Sequence, residues 1–78
     1  MGQYRTKDID EAAFLWMHPT VRYDDAARDG HTVYFSFSSD SDLDAMVKDF
    51  HAKKAQVEPK SFSQRQKDVR DILHKLRG

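Results

Sequence analysis

Cysteine is absent from this 78-residue chain, proline occurs twice and glycine three times. Without cysteine there are no disulfides, no thiol nucleophile and no thiolate metal site, a composition that fits a reducing compartment. No apolar run approaches the roughly 18 residues of a membrane span, and the start has no basic stretch leading into an apolar one. Neither a membrane partner nor a secretory signal is therefore expected, and a cytoplasmic location is. Repeats, low-complexity tracts and long linkers are also missing, which leaves one small domain over residues 1–78 as the expected organisation. A core near the lower size limit for independent folding makes self-association or partner binding a natural source of extra burial.

Charge is plentiful but unevenly placed. Thirteen basic and thirteen acidic residues cancel, yet residues 1–52 carry −5 and residues 53–78 carry +5. Local fields rather than net charge steer partners, so this separation suggests either a charged end used for contact or two halves that hold each other.

The elements are short and well punctuated. Tyr4 to Thr6 reads as a short strand, and Asp8 with Glu11 has the spacing of a capping box that opens a first helix from about Asp8 to His18, stopped by Pro19. The second half of that helix, Phe14-Leu15-Trp16-Met17, is apolar on every side, so Phe14 and Met17 are expected either to be surrounded or to form an exposed patch. From His31 to Ser38, Val33, Phe35 and Phe37 alternate with Thr32, Tyr34, Ser36 and Ser38, the pattern of a strand packed on one face. Thr20 to Tyr23 reads as its antiparallel partner, joined through an acidic loop over Asp24 to Gly30 that is expected to be mobile. Ser41 is expected to cap a second helix, with Asp44 three residues on and Leu43, Met46, Val47 and Phe50 forming one buried stripe. An extended piece, Ala55 to Val57, then leads to a third helix from about Ser61 to Leu76. The fold class is α+β: a small antiparallel sheet built on a central hairpin, with short edge strands as an alternative extension, packed on one face by three helices.

On the third helix Phe62, Val69, Ile72, Leu73 and Leu76 share one face, while Lys67, Arg70, His74 and Arg77 form a contiguous basic stripe on its flank. This stripe is the main candidate for partner binding; the alternative is a solvated surface balanced by Asp68 and Asp71 or by the acidic half.

The start Arg5-Thr6-Lys7-Asp8, the centre Gly30 with Tyr34-Phe35 and Phe37, and Val57, Pro59 and Phe62 ahead of a final helix resemble a family of small uncharacterised proteins of bacteria, archaea and their viruses. The resemblance covers Tyr4 to Leu76. It implies a compact α+β domain of prokaryotic or mobile-element origin and brings no activity, catalytic residue or binding residue with it.

Sharper chemical readings mostly fail on their own requirements. Asp40, Asp42 and Asp44 imitate the opening of a calcium loop, but Ala45 stands where glycine is needed and His51 where a bidentate glutamate is needed. His18, His31, His51 and His74 lack the spacing of a helical zinc pair, so no metal site and no cofactor is expected. Arg28-Asp29-Gly30 ahead of an aromatic strand suggests an RNA-recognition sheet, yet only Tyr34 points to the open face, where Arg22 is expected to join it in a small polar platform. No nucleophile elbow or phosphate loop is present, and no catalytic residue is expected.

Two classes of function remain. The first is a non-enzymatic protein-binding or regulatory module that docks on a protein partner or on itself as a homodimer, through Phe14 and Met17, the acidic loop or the basic stripe. The alternative is a nucleic-acid-binding protein that uses the basic face of the final helix, with a steep salt dependence.

Overall fold

The computed structural model describes residues 2–53 and 57–77. In chain order the elements are β1 (Gly2–Thr6), α1 (Ile9–Met17), β2 (Arg22–Asp29), β3 (Thr32–Ser39), α2 (Leu43–Lys53) and α3 (Pro59–Arg77). The three strands form one antiparallel sheet in the order β1-β3-β2, so the α+β class stands and the sheet does recruit the first strand. The expected strand at 55–57 lies partly outside the described residues, and Val57 itself sits in a bend.

β3 is central because its alternation suits a strand with two neighbours and one dry face. Val33, Phe35, Phe37 and Ser39 are buried, and the residues between them stay half-exposed. The three helices cover the dry face, α2 beside β1, α3 beside β2, and α1 packed most extensively against α3. The small, fully buried Ala12 and Ala13 allow that close approach, and Leu15 and Val69 complete the centre of the core.

The partner of β3 differs from its sequence reading. The expected acidic loop is strand: β2 runs to Asp29, and only Gly30 and His31 make the turn. Gly30 sits at φ 63°, a left-handed conformation that glycine adopts without cost. Asp-Asp-Ala-Ala is poor strand sequence, but pairing with β3 along its whole length overrides propensity. A bulge between Tyr23 and Asp25 absorbs Asp24, so Tyr23 and Ala26 both face the helices.

The helix starts also show what the sequence resolves only in part. Asp8 caps α1 as expected, accepting from the amides of Asp10 and Glu11 at 2.8 and 3.1 Å. α2 is capped by Asp42 rather than Ser41, its carboxylate accepting from the Ala45 amide at 3.2 Å. Ser41 instead donates its own amide to the Ser39 hydroxyl, which in turn donates to the Thr20 carbonyl. α3 begins two residues earlier than expected, with Pro59 in the first turn, where its missing N–H costs nothing. The Glu58 carboxylate accepts from the amides of Lys60 and Ser61 at 3.2 and 2.6 Å, and its pKa is lowered chiefly by the Ser61 hydrogen bonds.

Candidate functional site

Three surfaces carry the candidate residues, and the fold treats them differently. The apolar second half of α1 is largely taken up inside. Phe14 stacks on Phe50 with ring centroids 4.5 Å apart, and Phe50 meets Phe62 at 5.9 Å, which ties the three helices together. Trp16 lies 4.7 Å from Tyr23, and the Arg65 guanidinium covers its ring at 4.9 Å. Met17 is half-buried and lines a shallow groove with Lys60, Ser61, Gln64 and Arg65 of α3. Of the two outcomes expected for Phe14 and Met17, the surrounded one holds except along the flank of that groove, because neighbours on three elements enclose this turn of helix.

The open face of the sheet is polar. Gln3, Ser38 and Arg22 form one cross-strand row and Arg5, Ser36 and Asp25 the next. A depression of about 770 Å³ lies over these rows. Arg22 and Tyr34 share this face, but the platform expected of them has a different cation. Arg5 on β1 sits over the Tyr34 ring, 4.3 Å from its centroid, a geometry in which the ring's negative face attracts the guanidinium. Arg22 is exposed beside Ser38, whose hydroxyl donates to Asp24 at 3.0 Å. Pairing of β1 with β3 places Arg5 opposite Ser36 and so next to Tyr34, a neighbourhood that depends on register and is invisible to local pattern.

The third surface is the flank of α3. Lys67, Arg70, His74 and Arg77 are all exposed, and among the described residues none of the four makes a hydrogen bond or an ion pair. Asp68, expected as a balancing acid, is engaged on the other side of the helix by Arg65 at 3.3 Å and Gln64 at 3.2 Å. From Lys67 to Arg77 the stripe spans about 15 Å at the rise of an α-helix. Attraction to the helix dipole accounts for the cations of the last turn, His74, Lys75 and Arg77, but does not reach Lys67 and Arg70 in the middle.

One cluster was not singled out in the sequence. Glu11, whose side chain is 14% exposed, collects three donors on one carboxylate: the Tyr4 hydroxyl at 2.9 Å, the Thr6 hydroxyl at 2.8 Å and the His51 Nε2 at 2.6 Å. Partial burial raises its pKa, but the hydrogen bonds from His51, Thr6 and Tyr4 outweigh this and lower it. Tyr4 is pushed up to about 12, by burial first and then by its bond to Glu11. The capping box is thereby half diverted: Glu11 does not reach back to the Asp8 amide, which donates instead to the Thr6 hydroxyl at 3.0 Å. Only the helical spacing of Asp8 and Glu11 was visible in the sequence; His51 lies 40 residues away.

No curated protein and no solved structure matches this chain. The profile of DUF5659, described as a domain of unknown function, matches residues 1–75, nearly the whole length. This accords with the resemblance to a small uncharacterised family, and the chain belongs to the DUF5659 family.

Proposed function

We propose that this protein is a non-enzymatic docking module that engages an acidic surface of a protein partner through the basic flank of α3. The observation that carries this reading is the unpaired state of Lys67, Arg70 and Arg77, with Lys67 and Arg70 lying beyond the reach of any helix-end role. A protein is favoured over a nucleic acid because the stripe shares a small, overall neutral domain with the exposed Asp24, Asp25 and Asp29 of β2, so its surface is a mosaic of both signs. A partner of mixed charge can match such a mosaic, whereas a polyphosphate is repelled by half of it.

Isotope-labelled protein titrated with an aspartate- and glutamate-rich helical peptide and, separately, with a mixed-sequence duplex DNA tests the assignment. The peptide is expected to shift the amide resonances around Lys67, Arg70, His74 and Arg77 at about 0.1 M salt. Loss of these shifts in the Lys67→Glu/Arg70→Glu/Arg77→Glu variant, with the rest of the spectrum unchanged, would complete the support. A response to the duplex alone, falling steeply with salt, would transfer the stripe to nucleic-acid binding. Silence with both probes would remove the stripe as a site.

A further inference from the structure

Because β3 is central, the sheet has two edges, and they are protected very unequally. An edge strand presents unpaired backbone N–H and C=O groups to any strand that can align with it, and edges that stay single carry bulges and charges. β2 has both: the bulge between Tyr23 and Asp25 and the exposed Arg22, Asp24, Asp25, Arg28 and Asp29. β1 has neither a bulge nor a proline, and its five residues pair with β3 in unbroken register. Its one charge, Arg5, is drawn back over Tyr34 of its own sheet. Among the described residues no hydrogen bond reaches the outer side of the β1 backbone.

We infer that β1 pairs with β1 of a second copy, antiparallel about a two-fold axis through Tyr4, joining the two sheets into one continuous sheet. Symmetry and side-chain sidedness restrict the register. A two-fold axis normal to the sheet keeps each face on its own side, so directly opposed residues must come from the same face and the axis must pass through a residue. Centring it on Arg5 sets the two arginines face to face. Centring it on Gln3 leaves Arg5 and Thr6 without partners inside the strand. Centring it on Tyr4 pairs the whole strand, Gly2 with Thr6 and Gln3 with Arg5, and no residue then directly opposes a like charge. The two Tyr4 rings meet on the helix side, where aromatic cross-strand pairs stabilise a sheet. This edge lies across the sheet from the α3 stripe, so the inference is independent of the docking reading.

The register makes a charge test at one exposed position, Gln3, which faces Arg5 of the second copy twice in the dimer. Sedimentation equilibrium of the full chain, without an amino-terminal tag, is expected to show a dimer. Gln3→Lys should weaken association and Gln3→Glu strengthen it, each by about tenfold, since two cross-strand contacts change together. Circular dichroism of both variants checks that the fold is kept, and amides of Gly2–Thr6 should gain exchange protection as concentration rises. A wild-type chain that stays monomeric at about 1 mM would overturn the inference, because a paired edge that defines the resting state of the protein must associate at or below that concentration. Equal responses of the two variants, or a dimer whose new protection lies outside β1, would overturn it as well.

Discussion

His51 on α2 and Glu11 on α1 meet at 2.6 Å, Nε2 to Oε2, across 40 residues of sequence. The same carboxylate holds Tyr4 and Thr6 of β1, so one side chain fastens a strand and a second helix to the first. Its lowered pKa fixes the sign of a pH effect. The native state favours the ionised form, so the stability it supplies is complete above the ordinary glutamate value of 4.5 and is lost as pH falls through the lower folded value. Glu11→Gln should therefore destabilise the protein at pH 7 by about 1–3 kcal/mol, and denaturant melts of the variant should vary less than wild type on the acid side.

Phe14 belongs to the helix layer rather than to a free patch, which predicts that Phe14→Ala costs stability. A loss of about 3 kcal/mol, at the lower end for a buried phenylalanine because the ring is half-buried, is expected from chemical denaturation. Phe14→Asp should unfold the chain at ambient temperature. A folded variant with altered mass would return the ring to the surface.

At Gly30 the left-handed φ of 63° constrains what can replace it, although nothing lies within 4 Å of an added Cβ. Gly30→Val should lower stability by about 1–2 kcal/mol through backbone strain alone. Gly30→Asn should cost less, since asparagine tolerates this conformation. Paired thermal melts of the two variants measure the difference.

Charge reversal at Lys67, Arg70 and Arg77 should leave folding almost untouched. None of the three has a partner among the described residues, so each substitution is expected within about 0.5 kcal/mol of wild type. Arg65→Ala supplies the contrast, because it uncovers Trp16 and removes the ion pair to Asp68. Its tryptophan emission should move to longer wavelength, and its melting temperature should fall while that of the stripe variants holds.

Local patterns make most elements legible: α1 through its capping box and Pro19, and β3, α2 and α3 through periodicities of 2 and 3.6 that record which face meets the core. The stripe was legible for the same reason, as four positions on one flank of one helix. β2 was cut short because Asp24-Asp25-Ala26-Ala27 reads as loop on propensity, and only its ladder with β3 makes it strand. The α2 cap was misplaced by one residue, since Ser41 and Asp42 are both good caps and the choice turns on Ser39 engaging the Ser41 amide. The contacts of Arg5 with Tyr34 and of Glu11 with His51 lay beyond local reach, because each depends on how distant segments align.

The bulge in β2 has a consequence for how this chain tolerates changes of length. Losing one residue in mid-strand normally turns every later side chain to the wrong face. Here one aspartate of the Asp24-Asp25 pair is already outside the alternation, so deleting it would leave Tyr23 opposite Phe37 and Ala26 opposite Phe35, as they are now. Related chains could differ by a residue at this point and keep the same core, and an alignment that opened a gap between Tyr23 and Ala26 would mark a spare link rather than a break in the strand.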